Sequence, residues 1–458
     1  MKHKLIIPKD LALMPFQVEA VHKSIQFLKS DLRATYNASQ MGLGKSIQTI
    51  AALNSIGAPL PLLIICPAVV RLNWEKELLK WKTFNTNIHT ILSGKDLNKL
   101  NEFQATDTII ISYDLAAKDK TIKLLSQWKW GALVLDESHF LKSRNAKRTK
   151  AILGNLWDRA QYRIALSGTP FTQSVGDGYT LFNKIMPDTF TNYYSFVETF
   201  AFKQRTPWGD KYFGVKHPEK LSKHIRDNFF IRYRKDEVLL ELPDKVFTEI
   251  TLPATYKVNP NQDEKAAAHE YFKQFYVSLK AGLQPPRPPV SLGSIRRQQS
   301  KKKVAPVAEF VQELLDSGEP VVLFGWHTDF INGLKEALSK YNPVVIVGAT
   351  SARDRDNAVT DFQDGKSDLF IGNMVAAGVG ITLTRASVCV LGEVDYSPST
   401  ILQSVDRLHR IGQKNTVNVY YFIVKDSLEE AILRTAVEKA QTFERVIDAG
   451  RARGSNRS

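Results

Sequence analysis

Short apolar runs alternate along this chain with longer segments in which apolar residues recur every three or four positions. The runs predict buried β-strands, and the recurring segments predict amphipathic helices that cover them. In the first half of the chain, helices are predicted over residues 46–56 and 69–81. The strands are predicted at Leu62–Cys66, Thr108–Ser112 and Ala132–Leu135. This alternation is typical of an α/β domain with a mostly parallel sheet.

A second α/β pattern follows in the last third of the chain. Because 458 residues exceed what one hydrophobic core usually supports, we expect two lobes, over residues 1–250 and 306–450. Residues 451–458 are predicted to be a flexible basic tail. The predicted strands of the second lobe are Val321–Phe324, Val344–Val347, Leu369–Ile371, Val388–Leu391 and Val417–Phe422.

Two regions interrupt this pattern. Residues 251–305 include a proline run at 285–289 followed by basic residues, which predicts a stiff interlobe connection or hinge. A ligand for a proline-binding protein is the alternative for that run. Residues 171–245 are aromatic-rich and less periodic, which predicts a helical insertion in the first lobe. The aromatic residues that we expect to pack inside it are Tyr193, Tyr194, Phe196 and Phe200.

Charge narrows the class of partner. Lysine and arginine number 62 against 47 aspartates and glutamates, a formal net charge of +15. Such a basic balance favours a polyanion such as nucleic acid, although a basic surface kept for solubility is the alternative.

The two cysteines, Cys66 and Cys389, each lie in an apolar run and are predicted to be buried thiols. Two thiols exclude a disulfide framework or a cysteine-rich zinc cluster. The amino-terminal apolar stretch is cut short at Pro8, and no uninterrupted apolar run approaches membrane-spanning length. We therefore expect an intracellular protein that does not contact a membrane.

A glycine-rich turn precedes the first predicted helix, at Met41-Gly42-Leu43-Gly44-Lys45-Ser46. Backbone amides of Gly42 and Gly44 and the start of the helix can hold phosphates, with Lys45 on the β and γ oxygens and Ser46 on a magnesium ion. Ser39 stands where the usual pattern has its first glycine. A plain glycine-rich turn before a helix is the alternative.

An acidic pair, Asp136 and Glu137, follows the apolar run Ala132–Leu135. Asp136 is a candidate magnesium ligand, and Glu137 can accept a proton from an attacking water. Acidic pairs at strand ends are common, so this pair indicates hydrolysis only together with the phosphate turn.

Phosphoryl transfer leaves the protein mainly charge stabilisation and positioning to supply, so cations that reach the phosphate matter. Arg407 and Arg410 are three residues apart and are predicted to share one helical face. An exposed basic turn is the alternative. Gln17 is a candidate adenine contact, with a surface polar residue as its alternative.

Together these segments resemble the Swi/Snf-type family of superfamily-two helicase-like ATPases, from about Leu13 to about Ala449. The wording of residues 136–142 and 376–384 is most similar to the annealing-helicase (HARP-like) branch. The family usually has acidic residues where Ser39 and Gln40 stand, so nucleotide contacts from that turn stay open. Further matching segments are Leu63-Ile64-Ile65-Cys66-Pro67, Leu166-Ser167-Gly168-Thr169-Pro170, Tyr233-Arg234-Lys235-Asp236-Glu237-Val238-Leu239 and Arg407-Leu408-His409-Arg410-Ile411-Gly412-Gln413.

The resemblance implies a P-loop NTPase with two RecA-like lobes, each a parallel sheet flanked by helices. It implies a DNA-stimulated ATPase that uses ATP and Mg²⁺ to move along duplex, forked or partly single-stranded DNA and to reanneal or remodel forks. Thr169 and Gln403 would couple the nucleotide to the lobes. An RNA-directed helicase and an ATP-gated DNA-binding scaffold with little hydrolysis are the alternatives.

We expect a monomer in the cytoplasm of a prokaryote or of an infected host cell, or in the nucleus of a eukaryote. The family resemblance also implies contacts to phosphate and sugar along both lobes, which give tracking without sequence readout. For Trp326 and His327, packing within the lobe is an equal alternative. The implied contact residues are Pro67, Arg71, Ser112, Tyr113, Thr169, Trp326, His327, Thr350, Gly378, Gly380 and Thr384.

Overall fold

The described residues form two compact units, the first running to residue 239 and the second beginning at Glu241. Each unit is built on its own parallel sheet with helices around it, so the predicted α/β fold class is confirmed. The computed structural model describes residues 3–168, 170–171, 175–206, 209–213, 215–239, 241–258, 270–271, 274, 290–377, 380–395, 398–427 and 429–430.

The first unit contains a seven-stranded sheet in the order β3-β4-β2-β5-β6-β1-β9, with every neighbouring pair parallel. Its strands are β1 (Ala34–Asn37), β2 (Leu62–Cys66), β3 (Ile88–Ile91), β4 (Thr108–Ser112), β5 (Trp130–Leu135), β6 (Ala160–Leu166) and β9 (Phe230–Ile231). A separate antiparallel hairpin joins β7 (Phe202–Thr206) to β8 (Gly209–Phe213).

The helices of the first unit begin with α1, which carries a proline at its first position, and with α2, which follows the glycine-rich turn. They are α1 (Pro15–Leu28), α2 (Lys45–Ser55), α3 (Arg71–Trp81), α4 (Tyr113–Ala116), α5 (Asp119–Leu125), α6 (Lys147–Asn155), α7 (Tyr179–Ile185), α8 (Tyr193–Phe200), α9 (Pro218–Asn228) and α10 (Lys235–Val238).

The central strands β2, β4 and β5 are buried at every position, which is why they appear in the sequence as uninterrupted apolar runs. Their register aligns the carboxyl ends of the strands. Ile65 lies opposite Leu135, and Asn37 lies opposite Leu166. The segments that follow β1, β5 and β6 therefore emerge side by side at one edge of the sheet.

The region predicted as a helical insertion contains helices, but it also contains the β7–β8 hairpin and strand β9. β9 pairs with β1 and so extends the main sheet. Phe196 and Phe200 are buried as predicted. Tyr194 differs, because 57% of it is exposed and it does not pack in the interior.

The second unit has a six-stranded parallel sheet in the order β10-β15-β14-β11-β13-β12. Its strands are β10 (Lys245–Leu252), β11 (Val321–Gly325), β12 (Val344–Ile346), β13 (Leu369–Asn373), β14 (Val388–Leu391) and β15 (Val417–Val424). Its helices are α11 (Val290–Asp316), α12 (Thr328–Ala337), α13 (Ala352–Gln363), α14 (Met374–Ala377) and α15 (Pro398–Val405).

Two elements cross the domain boundaries predicted from the sequence. β10 spans residue 250 and pairs along its whole length with β15, so it belongs to the second sheet. α11 spans residue 305 and contains Pro306. The proline run at 285–289 and the tail at 451–458 lie outside the described residues.

Cys66 in β2 and Cys389 in β14 are fully buried free thiols, as predicted. Burial raises the pKa of both thiols, and for Cys66 the nearby Asp136 raises it further. In the part of the chain that the structure describes, every helix is too short or too polar to cross a bilayer.

Candidate nucleotide-binding and hydrolysis site

The turn between β1 and α2 has the geometry of a phosphate-binding loop. Gly42 and Gly44 have φ angles of 81° and 79°, values that glycine adopts without strain. Helix α2 then begins at Lys45, so its first amides face the loop. The residues predicted to bind phosphate are thereby brought together at the carboxyl end of β1.

Two carboxamides hold this loop by one carbonyl. The Nε2 atoms of Gln17 and Gln48 lie 3.1 Å and 2.8 Å from the Leu43 oxygen, and both donate to it. Asn37 in turn donates to Gln48 Oε1 at 2.7 Å. A Cβ atom on Gly44 would lie 2.6 Å from Gln17 Nε2, so a side chain at this position would displace the Gln17 carboxamide from the Leu43 carbonyl.

Gln17 therefore has a clear internal role. Its Oε1 accepts from the Met14 amide at 2.9 Å while its Nε2 donates to Leu43, and only 2% of the residue is exposed. The structure shows Gln17 tying the start of α1 to the phosphate loop. The predicted adenine contact stays a prediction.

The Lys45 ammonium lies inside the loop. Its Nζ donates to the Ser39 carbonyl at 3.0 Å and lies 3.4 Å from that of Gln40. These carbonyls hold a buried cation at the place where phosphate oxygens are expected. A bound phosphate would replace the carbonyls as the partner of the Lys45 ammonium. Ser46, the predicted magnesium contact, follows in the first turn of α2.

Ser39 and Gln40, which stand where the Swi/Snf-type family usually has acidic residues, bind a later segment to the loop. The Gln40 amide donates to the Tyr233 carbonyl at 3.0 Å, and the Gln40 side-chain oxygen accepts from the Lys235 amide at 2.8 Å. Ser39 Oγ accepts from the Tyr233 amide at 3.3 Å. Neutral side chains at both positions thus serve the packing of residues 233–235.

The acidic pair follows β5, one strand from β6 and two from β1 in the sheet. The Asp136 carboxylate accepts from the Trp74 indole at 2.8 Å and from the Glu137 amide at 2.9 Å. Tyr113 donates its hydroxyl to the Asp136 backbone carbonyl at 2.8 Å. Donors from α3 and α4 therefore fix the orientation of Asp136.

Glu137 has an uncommon backbone for a residue with a side chain, with φ 49° and ψ 50°. This conformation places its carboxylate 3.3 Å from His139 Nδ1, which also lies 3.0 Å from Ser167 Oγ after β6. The strain is one that functional sites tolerate.

Burial and, to a smaller extent, the neighbouring Glu137 carboxylate raise the pKa of Asp136 to about 6. The Trp74 hydrogen bond and the Lys45 charge offset part of this effect. A partly buried Asp136 with a raised pKa, beside a second carboxylate, fits a site that binds a cation.

A magnesium ion in a phosphate-loop site needs few protein ligands, because substrate phosphates and water complete its octahedron. Asp136 and the hydroxyl of Ser46 suit that role. Within the described ranges no cluster of three or more histidines, cysteines or acids suits a metal held by protein alone. The donor set therefore fits a metal that arrives with the nucleotide.

Asp136→Asn should change how stability depends on pH. Since the folded pKa of Asp136 is raised from 3.8 to about 6, this group stabilises the fold below about pH 4 and loses that contribution as the pH rises through about 6. The amide cannot titrate. We expect the free energy of unfolding of the variant, minus that of the wild type, to rise between about pH 4 and pH 7. Urea unfolding with EDTA and without nucleotide measures it.

Asp107→Asn is the matched control with the opposite sign. Burial opposes ionisation of Asp107, but hydrogen bonds from the Gln104 amide, His89 and Asn87 outweigh it and lower its pKa. For this variant the corresponding difference should fall as the pH rises towards about 4 and be flat above that. A flat difference for Asp136→Asn across the whole range would contradict the raised pKa.

The second unit carries the predicted arginines. The expectation that they share a helical face is wrong, because α15 ends at Val405 and both arginines lie in the turns that follow. Each Nε donates to a carbonyl four residues earlier, Arg407 to Gln403 at 2.9 Å and Arg410 to Asp406 at 3.1 Å. Arg410 Nη1 also lies 3.0 Å from Thr382 Oγ1.

Several predicted DNA contacts in the first unit have internal roles. Arg71 is buried and donates to the Ile91 carbonyl at 2.6 Å. Ser112 caps α4 through the Leu115 amide, and Tyr113 is the buried partner of Asp136. Pro67 lies buried before a short 3-10 turn. Contact between these residues and DNA stays a prediction.

In the second unit, Glu393 organises the predicted contact residues Trp326 and His327. Its Oε2 accepts from both of their amides, at 2.7 Å and 2.8 Å, and its Oε1 lies 2.6 Å from His327 Nδ1. Gly380 has a φ of 77°, and Thr350 Oγ1 accepts from the Val347 amide. Thr384 lies 3.4 Å from Gln363 Nε2. Thr169 and Gly378 lie outside the described residues.

Sequence reasoning missed Asn37, Gln48 and Trp74, which position the site of the first unit, and Glu393, which positions Trp326 and His327 in the second. Gln48 and Trp74 lie on the buried faces of their helices. A carboxamide or an indole at an apolar position of a helix was the available signal, since such groups are buried only with a partner.

Comparison with known proteins agrees with this geometry. The model of the SNF2-related domain matches residues 18–260, which is more than half of the chain, and that of the helicase conserved C-terminal domain matches residues 303–412.

Curated relatives match along nearly the whole chain. The SWI/SNF-related matrix-associated actin-dependent regulator of chromatin subfamily A-like protein 1 of Xenopus tropicalis is 30% identical over 94% of this chain and 44% of its own length. The mouse DNA annealing helicase and endonuclease ZRANB3 is 29% identical over 94% and 40%, respectively. An uncharacterized ATP-dependent helicase of Mycoplasma pneumoniae is 28% identical over 96% and 42%. The chain thus spans less than half the length of these relatives.

Proposed function

This chain belongs to the SNF2-related family of helicase-like ATPases, and from that premise we propose that it hydrolyses ATP to translocate along duplex or branched DNA. The observation that carries the proposal is the first unit's site. There a glycine-rich loop with a buried lysine and a partly buried acidic pair follow strands of one sheet. The name of the mouse relative, a DNA annealing helicase, supports DNA as the track.

The proposed chemistry assigns each group one role. The loop amides and Lys45 bind the phosphates, and Ser46 and Asp136 would hold the magnesium ion that neutralises them. Glu137 takes a proton from the attacking water, because its carboxylate is held by backbone geometry and by His139. Arg407 and Arg410 would stabilise the charge that develops on the transferred phosphoryl group, and Gln403 would couple the nucleotide to the lobes.

We further propose remodelling rather than separation of long duplexes, with forks or partly melted DNA as substrates and rewinding as the outcome. The similarity to annealing helicases supports this. ATPase stimulation by single-stranded, duplex and forked DNA and by RNA tests the track. Displacement of a third strand from a triplex tests movement.

The outcomes discriminate between functions. Third-strand displacement without separation of long blunt duplexes would support the proposal. Stronger stimulation by RNA would point to an RNA-directed helicase, and tight DNA binding with negligible hydrolysis would point to a scaffold. DNA-stimulated ATPase without displacement would contradict translocation.

DNA affinity should fall steeply with salt and vary little with sequence, since the proposed contacts are to backbone phosphates. A chain with a formal net charge of +15 releases counterions when it binds, so log affinity should decline linearly with log salt. Anisotropy titrations at several salt concentrations, with two duplexes of unrelated sequence, measure both effects. A flat salt dependence would contradict backbone recognition.

A further inference from the structure

An exposed surface of the first unit combines aromatic rings with arginines. It consists of Phe140, Arg144, Arg148 and Tyr194, which we call the aromatic–arginine surface. Phe140 is 40% exposed and Tyr194 is 57% exposed, so solvent reaches both rings. Arg144 is exposed and Arg148 is partly so. None of these residues has a role in the proposed hydrolysis.

The Tyr194 ring is held in place by Arg144. The guanidinium carbon of Arg144 lies 5.1 Å from the centroid of the Tyr194 ring and 4.2 Å from that of Tyr193. Its Nη2 also donates to the Tyr194 hydroxyl at 3.4 Å. Tyr193 packs edge-on against Tyr179 at 5.4 Å, which anchors the group. An exposed ring with a fixed position loses little conformational entropy when a flat partner stacks on it.

The Phe140 ring is similarly ordered. It stacks on Tyr113 with a centroid separation of 5.5 Å and an interplanar angle of 6°, and Arg148 lies 5.4 Å from its centroid. Tyr113 covers one face of Phe140. Because the hydroxyl of Tyr113 donates to the Asp136 carbonyl, this ring pair also connects the surface to the acidic pair.

Charge identifies the kind of partner. Residues 138–157 contain no aspartate or glutamate, and their five lysines and arginines are Lys142, Arg144, Lys147, Arg148 and Lys150. Asp114 pairs with Arg148, and Asp119 pairs with Lys147. Within the described ranges no carboxylate forms an ion pair with Arg144. The surface thus retains an excess of positive charge, which complements a polyanion.

We propose that the aromatic–arginine surface binds an unpaired DNA strand, with bases stacked on Tyr194 and Phe140 and phosphates on the arginines. Base faces are hidden in a duplex and accessible in a single strand, so exposed rings beside cations fit the latter. This inference rests on the proposed function and deepens it. It supplies a site for the unpaired strand of forked or partly melted DNA.

Binding of oligothymidylate to the 458-residue chain tests the proposal. Phe140→Ala/Tyr194→Ala should weaken this binding by roughly tenfold for each ring removed. The same variant should bind an abasic strand and a blunt duplex as the wild type does, because neither offers base faces. Phe202→Ala is the matched control, since Phe202 is 46% exposed and lies 5.9 Å from the Lys216 ammonium.

Other variants separate stacking from charge. Arg144→Gln/Arg148→Gln should reduce the salt dependence of oligothymidylate binding, whereas the aromatic variant should leave the slope unchanged. If Phe140→Ala impairs folding through Tyr113, as circular dichroism would show, Tyr194→Ala alone decides. Tyr194→Phe should restore affinity, because it keeps the ring.

Unchanged oligothymidylate affinity, or equal losses for the abasic strand and the duplex, would overturn the proposal. Tighter binding of oligouridylate than of oligothymidylate would overturn the assignment to DNA. Duplex-stimulated ATPase, measured in the same proteins, separates this result from the function itself. If DNA does not stimulate the ATPase activity of the wild-type chain, the proposed function is wrong. If DNA does stimulate it but the variants bind single strands as the wild type does, only the role of this surface is wrong.

Discussion

Glu137→Gln is expected to abolish ATP hydrolysis while leaving ATP binding intact. The amide keeps the shape and the left-handed backbone of Glu137 but cannot accept the proton from water. Loss of such a group raises the activation free energy by on the order of 3 kcal/mol or more, so turnover should fall by more than about 100-fold. Steady-state ATPase assays and binding of a fluorescent nucleotide measure the two effects separately.

Lys45→Ala should also abolish hydrolysis, because it removes the cation that is proposed to bind the phosphates. For the same reason it should weaken nucleotide binding. The Nζ of Lys45 donates to the Ser39 carbonyl at 3.0 Å, inside the loop that is proposed to hold the phosphates. Glu102→Gln, a change at an exposed glutamate outside the site, is the matched control and should keep wild-type turnover. More than about a tenth of wild-type turnover in both site variants would refute the assignment.

Arg407→Ala and Arg410→Ala should each lower turnover by roughly 10³-fold, the scale of an arginine finger, with little effect on ATP binding. Each removes a guanidinium held by a carbonyl four residues earlier in the chain. Single-turnover hydrolysis compared with nucleotide affinity separates a chemical defect from a binding defect.

Arg385→Ala provides the control in the second unit. Arg385 donates to the Phe362 and Ser367 carbonyls and pairs with Asp368, so its loss removes comparable bonds elsewhere. This variant should keep its turnover wherever it remains folded. If it lost as much activity as the other two, the arginines would be structural rather than catalytic.

Strands buried on both faces were the most predictable part of the fold. β2, β4 and β14 lie where the apolar runs predicted them, because burial on both sides demands continuous apolar sequence. β10 has the opposite character. Most of its residues are exposed at the edge of the sheet, so Lys245–Leu252 gave no apolar run to recognise.

Local motifs predicted the candidate catalytic residues of the first unit better than the hydrogen bonds that position them. The glycine turn and the acidic pair are contiguous in sequence, so their residue types were informative. The donors to the Leu43 carbonyl, Gln17 and Gln48, are 26 and 5 positions from Leu43 in the chain. The hydrogen bond between Trp74 and Asp136 joins residues 62 positions apart. Such contacts depend on sheet order, which the sequence pattern did not determine.

The prediction that Arg407 and Arg410 share a helical face was wrong for a local reason. Spacing of three residues implies a shared face only while the helix continues, and α15 stops two residues before Arg407. Gln413 donates to the carbonyls of Ala386 and Leu408 at 2.8 Å and 3.2 Å, which holds the chain in its turns.

The two buried cysteines also make the wild-type chain a suitable background for thiol-directed dyes. Cys66 and Cys389 are the chain's whole complement of thiols, and each is fully buried with a raised pKa. Thiol reagents react with the thiolate, so both should be slow to label in the folded protein. Cysteines introduced at exposed positions, one in each unit, would then carry donor and acceptor dyes without removal of the native thiols. Fluorescence energy transfer between them could follow the two units through each cycle of ATP turnover.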